Sequence, residues 1–277
     1  MLNLVVCLKQ VPIVTELPWD EKTGTLRRDL ATGQMNLACL HALEAALQIK
    51  EQYASNITAI TLGPPAAQEV LYEAVALGAD RGIHISDRLF AGSDTYATSL
   101  LLAKAIRKEC PHYDLILCGA YTSDSETAQV GPQIAEELDL PAAAYIEKME
   151  ITGRTLRVRR LVDNFRETLE MEFPALVTVS LENYKPRYTR LAGLGSAFDT
   201  GNIISLNARD LGISAASMAA DGSRTKVRNV YLRKAKKENV VLKGTAANVV
   251  NEFLNKYESK ISWAIGKDIK EKDRNDE

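Results

Sequence analysis

Cysteine is scarce and scattered. The four in 277 residues, Cys7, Cys39, Cys110 and Cys118, include no CxxC pair. That spacing argues against a disulfide framework and against a zinc site, leaving reduced thiols as the expected state. Long apolar runs are missing as well. None approaches the roughly 20 residues that cross a bilayer, and the opening MLNLVVCLKQ is too short and wrongly flanked for a secretory signal. A cytoplasmic protein without a membrane span is the expectation. An excess of one charge is also lacking: 34 Lys and Arg stand against 36 Asp and Glu, a formal net charge of −2, so no electrostatic case exists for nucleic acid. The familiar nucleotide fingerprints are absent too. There is no GxxxxGK[ST], and GLGSAF near residue 193 fails GxGxxG while following no convincing strand.

What is present is an ordinary globular composition, 46% hydrophobic and 25% charged, with clear alternation. LNLVVCLKQVP is a near-continuous apolar strand, the pattern of a parallel strand covered on both faces. Turn chemistry follows in DEKTGTLRRDLATGQ. Asn36 then stands at the cap position of a helix, LACLHALEAALQIKEQY, with Leu40, Leu43 and Leu47 on one face. NITAITLG, DRGIHIS and YDLILCG predict strands; PPAAQEVLYEAVALG and DTYATSLLLAKAIRKE predict helices, the first entered by prolines and stopped at Gly78. This alternation to residue 146 predicts a doubly wound, mostly parallel α/β sheet. TLRVRRL and TLEMEF alternate apolar and polar residues, with Leu169, Met171 and Phe173 on one face, and predict an added antiparallel hairpin. PALVTVSL returns to a buried strand. The expected division is residues 1–190 as the α/β domain and 191–277 as an irregular segment plus a C-terminal arm with one helix, TAANVVNEFLNKYES. The last charged residues should fray.

The stretch SDSETAQVGPQIAEELDLP, 123–141, follows an apolar strand and enters a helix on which Val130, Ile134 and Leu138 recur. In open α/β sheets ligands bind outside the carboxyl ends of strands, where helix N-termini present free amides. The amides of Thr127, Ala128, Gln129, Val130 and Gly131 therefore suit a phosphate, and small side chains permit close approach. Asp124 and Glu126 would repel it if they pointed inward. On spacing alone, an ordinary strand-to-helix turn is the commoner outcome and a phosphate cradle the rarer one.

Six stretches, taken in order, resemble the β subunit of the electron transfer flavoproteins: VVCLKQVP, MNLACLHALEAALQIKE, TLGPPAAQEVLYEAVALGADRGIHISD, DTYATSLLLAKAI, DLILCG with DSETAQVGPQIAEELDLP, and FPALVTVSLENYKPRY. The resemblance spans about residues 1–190. It implies an adenine-nucleotide-binding α/β domain whose site falls on Cys7, on Asn36, Leu37, Ala38 and Cys39, on Leu62, on Asp124, and on Thr127 through Gly131. It also implies that the amides of 127–131 hold a phosphate or pyrophosphate. GPP, DRLFAGSDTYATS and DSETAQVGPQIAE look most like the flavin-bifurcating, anaerobic-type members, so FAD is favoured over a structural AMP, with NADH as electron donor.

Departures from the family pattern stand beside these matches. Ala120 and Tyr121 replace a basic residue and a Gln, Leu37 and Ala38 replace a Pro and often an acidic residue, and Ser125 with Glu126 replaces a Gly-Asp pair. A shifted redox behaviour or a different nucleotide is the expected consequence. Cys7 and Cys39 read first as small buried hydrophobes, His41 and His84 as satisfied structural histidines, Arg187 as a fixture at the exit of the last strand, and RKAKKEN as a solvated face. The resemblance implies partners: an electron transfer flavoprotein α subunit in a heterodimer, and an acyl-CoA dehydrogenase docking at LAGLGSAFDTG, where Leu191 and Leu194 are apolar anchors and Gly193 and Gly195 are expected to leave the segment mobile. No catalytic side chain and no metal ligand are assigned. The rival reading is a stand-alone adenine-nucleotide-binding sensor or hydrolase, which would have little need of the arm after residue 190.

Overall fold

The run Leu2–Leu8 forms β1, which has a parallel partner on each flank; Leu4, Val5, Val6, Cys7 and Leu8 are all buried. Burial on both faces explains why it lacks polar alternation. The computed structural model describes residues 1–13, 19–20, 25–26, 33–163, 165–189, 191–200, 202–216, 222–225 and 240–265. RKAKKEN and the charged tail lie outside these residues.

Four short strands follow, β2 (Gln10–Pro12), β3 (Trp19–Asp20), β4 (Thr25–Leu26) and β5 (Gly33–Met35), paired antiparallel as β2 with β5 and β3 with β4. Helix α1 (Leu37–Gln52) is buried at most positions, its alanines letting it lie close on the sheet. After β6 (Ser55–Leu62), a 3-10 turn at Pro65–Gln68 leads into α2 (Glu69–Leu77), which stops at Gly78 with φ 128°, a conformation glycine takes without penalty. Strand β7 (Arg81–Ile85) precedes α3 (Thr95–Glu109). Asp94 caps α3 by accepting the Ala97 N–H at 2.9 Å. Then come β8 (Leu115–Gly119) and α4 (Val130–Leu138). Pro132 lies in the first turn of α4, where a missing N–H removes no helical bond. The meander β9 (Ala142–Thr152), β10 (Thr155–Val162) and β11 (Phe165–Glu172) leads to β12 (Ala175–Val179).

One nine-stranded sheet takes in most of these strands, in the order β11-β10-β9-β12-β8-β1-β6-β7, with a last strand beyond β7. Apolar layers cover both faces. Leu4, Val6 and Leu8 pack with Leu43, Leu47 and Leu71 under α1 and α2; Val5 and Cys7 pack with Leu101, Ile106 and Ile134 under α3 and α4. Each fully buried Leu or Ile contributes about 1.5–3 kcal/mol of transfer free energy. The expected hairpin is present as β10 and β11, with Leu156 and Val158 buried and Leu169 and Met171 packed beside them. Its outer face carries the cross-strand pair Arg157–Glu170, and Arg160–Glu167 closes the apolar face beyond Val158 and Leu169, each pair at 2.8 Å.

The chain after residue 190 differs from expectation. LAGLGSAFDT is helix α5 (Leu191–Thr200), lying on α2. Gly193 makes this possible, since a Cβ there would meet the Ala76 carbonyl oxygen at 2.5 Å. Phe198 stacks on Tyr72 with ring centroids 4.4 Å apart. Strand β13 (Ile203–Leu206) then adds to the sheet edge parallel to β7. Glycines weaken a helix in isolation, but contact with α2 outweighs propensity here. The compact unit consequently runs Met1–Val230, and the expected boundary at 190 falls inside it. The second unit is Tyr231–Glu277, whose described part holds α6 (Ala246–Ile265), the expected terminal helix. Val250, Phe253 and Trp263 on α6 are exposed. No helix among the described residues is long and apolar enough to cross a membrane.

Candidate functional site

From β1 the chain steps through β6 to β7 on one side, then crosses to β8 and β12 on the other. Strands β1 and β8 are therefore neighbours whose following helices leave over opposite faces. A crevice opens at the carboxyl ends of such a pair.

Two bridges span it. Asn36, 2% exposed, donates its side-chain Nδ2 to the Tyr121 carbonyl at 2.9 Å and accepts the Ser123 N–H on Oδ1 at 3.1 Å. It occupies the cap position of α1 as expected, yet its side chain makes no capping bond to that helix. It ties the start of α1 to the loop after β8 and leaves the first turn of α1 uncapped. The second bridge joins Lys9 to Asp124, with Nζ 2.7 Å and 2.8 Å from the two carboxylate oxygens. A cation thus stands beside the loop whose basic residue is replaced by Ala120. Lys9 escaped the sequence reading although it lies within the quoted CLKQVP.

The loop itself is unusual. Glu126 and Ala128 have φ of 49° and 54°, left-handed values at two non-glycine positions within three residues. Such strain is held only where surroundings over-determine it, and it gathers at ligand sites. Among the described residues the N–H groups of Thr127, Ala128 and Gln129 have no acceptor. The regular helix starts at Val130, and Gln129 provides no capping bond. Gln129 accepts the Thr95 hydroxyl on Oε1 at 2.9 Å, joining this turn to the start of α3. Gly131 is buried. A Cβ on it would meet the Thr178 methyl at 2.6 Å, so close packing of α4 on β12 and β8 accounts for that glycine.

Gly119, at the end of β8, faces α1. A Cβ there would lie 2.6 Å from the Ala38 carbonyl carbon and 2.7 Å from the Cys39 nitrogen. Cys7 and Cys118 are register partners on β1 and β8; the neighbouring Cys118 thiol, then burial, pushes the Cys7 thiol well up. Burial also raises Cys39, outweighing the Asn36 amide and backbone N–H groups directed at its sulfur. Both thiols stay protonated, in keeping with their reading as small apolar side chains. All four cysteines are free and buried. Leu37 is exposed, and Leu62 is half-buried at the end of β6, the strand beside β1, packed on the same apolar layer as Val130. Asn36, Cys39, Cys7 and the loop 121–131 are brought together.

Farther out, Arg187 fixes the exit of β12 as expected. Its Nε and Nη2 lie 2.8 Å and 2.9 Å from the two oxygens of buried Glu44, and Nη1 lies 2.8 Å from Glu51. His84 donates its Nε2–H to the Pro64 carbonyl at 3.2 Å. His41 departs from expectation, since its buried Nδ1 has no partner among the described residues. Leu191 is exposed and Leu194 half-buried on α5.

One feature escaped the sequence reading entirely. Ala143 pairs with Val177 and Ile146 with Val179, so β9 carries one extra residue, and Tyr145 within this bulge has φ 58°. A left-handed conformation costs a non-glycine residue about 1–2 kcal/mol. The buried Thr178 hydroxyl accepts the Tyr145 N–H at 2.9 Å.

Residues 23–211 match the model of the electron transfer flavoprotein domain. The chain is 38% identical to electron transfer flavoprotein subunit beta of Clostridium acetobutylicum, covering 91% of this chain and 98% of that one. It is 37% identical to the caffeyl-CoA reductase-Etf complex subunit CarD of Acetobacterium woodii, over 90% and 95% of the two chains. It is 34% identical to the acryloyl-CoA reductase electron transfer subunit gamma of Anaerotignum propionicum, over 92% and 97%. The chain therefore belongs to the electron transfer flavoprotein family, among its β subunits.

Proposed function

We propose that this β subunit holds FAD in the crevice between β1 and β8, in a heterodimer with an α subunit that carries the other flavin, and that it serves flavin-based electron bifurcation. The observation that carries the reading is the strained turn 126–129, where the N–H groups of 127–129 have no acceptor among the described residues and lie at the start of α4 while Lys9 pairs with the adjacent Asp124. Backbone donors at a helix N-terminus favour an anion, and pairing of the nearest carboxylate removes its repulsion. Residues 127–131 are assigned the pyrophosphate. Cys7, Asn36 through Cys39, and Leu62 are assigned the adenosine. Relatives named as parts of CoA-substrate reductase complexes support the bifurcating type.

When bound, the flavin supplies hydride acceptance from NADH and single-electron delivery. This chain's own residues bind and orient. Asn36 sets the spacing of the two crevice walls, Gly119 permits α1 to approach β8, and the buried apolar floor excludes water. Docking of an acyl-CoA dehydrogenase is assigned to α5, with exposed Leu191 as anchor and Leu194 beneath it. Acid release of nucleotide from purified heterodimer tests the cofactor: two FAD per dimer is expected. One FAD with one AMP would replace the bifurcating reading by that of a carrier with structural AMP, and no adenine nucleotide in the crevice would sink both.

A further inference from the structure

The Tyr145 bulge is more firmly held than strand geometry needs. Before it, Ala143 pairs with Val177; after it, the Ser180 N–H and hydroxyl both donate to the Ile146 carbonyl, at 3.0 Å and 3.1 Å; within it, Thr178 accepts the Tyr145 N–H. The bend lets β9 leave β12 and join the antiparallel meander. A glycine would make the same bend with no steric penalty. The chain instead places a bulky aromatic there, 42% exposed, with no hydrogen-bond partner for its hydroxyl among the described residues. Packing therefore does not explain the ring. Its location does suggest a use: Thr178, which holds the Tyr145 backbone, is the residue whose methyl fills the space against Gly131 in the first turn of α4. The strained tyrosine is thus one residue removed from the turn assigned to the pyrophosphate. Bulges beside ligand sites commonly re-aim one side chain.

We propose that Tyr145 is an aromatic platform on which the ring system beyond the pyrophosphate of a bound dinucleotide stacks, and so favours FAD over AMP in this site. The proposal rests on the crevice holding an adenine nucleotide. Stacking of this kind is worth up to about tenfold in affinity and quenches flavin emission. The test is titration of FAD and of AMP into heterodimer stripped of the crevice nucleotide, for the wild type, Tyr145→Phe, Tyr145→Leu and Tyr145→Gly, with melting temperature as the folding control. Tyr145→Phe should match the wild type. Tyr145→Leu and Tyr145→Gly should bind FAD about tenfold more weakly, with brighter bound flavin and unchanged AMP affinity, and Tyr145→Gly should melt no lower because it relieves the left-handed strain. FAD affinity and emission unchanged in Tyr145→Gly would overturn the platform alone. Looser subunit association with unchanged FAD affinity would also overturn it, assigning the ring to the partner subunit. A wild type that binds neither nucleotide would remove the crevice reading together with the platform.

Discussion

The Lys9 ammonium lies 2.7 Å from the Asp124 carboxylate, joining the end of β1 to the loop after β8 across 115 residues of sequence. The Asp124 side chain is only 12% exposed, so this charge is poorly screened by solvent. Truncating Lys9 removes positive charge from the loop that leads to the amides assigned a phosphate. Lys9→Ala should weaken AMP and FAD binding by about tenfold or more, and adding Asp124→Asn should restore much of the loss. Titration of the heterodimer checks both. Equal affinity in Lys9→Ala would place the anion elsewhere.

The fit of Gly193 against the Ala76 carbonyl sets how close α5 lies to α2. Gly193→Ala inserts a methyl into backbone, where no side chain can swing aside, and should destabilise by about 1–3 kcal/mol. Because α5 stands apart from the crevice bridges, nucleotide content should stay unchanged while affinity for the dehydrogenase falls. Binding measured by calorimetry separates the two effects; loss of nucleotide instead would mean that α5 supports the crevice.

Glu44 is a buried carboxylate held below its ordinary range: burial opposes ionisation, but hydrogen bonds from Arg187 and Gln48 outweigh it. Truncating Arg187 strands that charge. Breaking a fully buried pair costs about 3–5 kcal/mol, and the partly exposed guanidinium lowers the expectation for Arg187→Ala to about 2 kcal/mol. Glu44→Gln should cost less, since it leaves no buried charge. Urea unfolding of both variants decides; equal losses would show that geometry matters here more than charge.

His41 and His84 are both pushed below the ordinary histidine value, first by burial, with nearby Glu182 and Glu44 opposing at His41 and backbone contacts opposing at His84. A depressed folded value means that the unfolded chain binds protons first. Stability is therefore whole above the unfolded value of about 6.5 and declines as pH falls below it towards the folded values. Urea midpoints at pH 7 and pH 5 should differ more for the wild type than for a His41→Gln, His84→Gln double variant. Parallel slopes would show that other groups govern this range.

Much of this fold could be read directly. The β1 run, the proline entry and Gly78 stop of α2, and the alternation of Leu169, Met171 and Phe173 each carry their own local signal, because period and terminator chemistry act within a few residues. Around the crevice, Asn36 was recognised by its position, but its partners Tyr121 and Ser123 were not. A cap residue looks the same in sequence whether its amide serves its own helix or another loop. Helix α5 was read as an irregular segment because its glycines are poor helix formers, and only contact with α2 shows what Gly193 is for.

The amino-acid sequence by itself determined the parallel α/β class, strands β1, β6, β7, β8 and β12, the β10–β11 hairpin, helices α1 to α4, and the turn at 123–131, since hydrophobic periodicity, caps and turn residues are short-range properties. Tertiary structure alone decided that Lys9 answers Asp124, that Gly131 is small for packing on Thr178, that β13 completes the sheet, and that Tyr145 takes a left-handed conformation in the β9 bulge. Those outcomes depend on strand order and register, which arise when distant segments bury their apolar faces together, and no window of neighbouring residues encodes them.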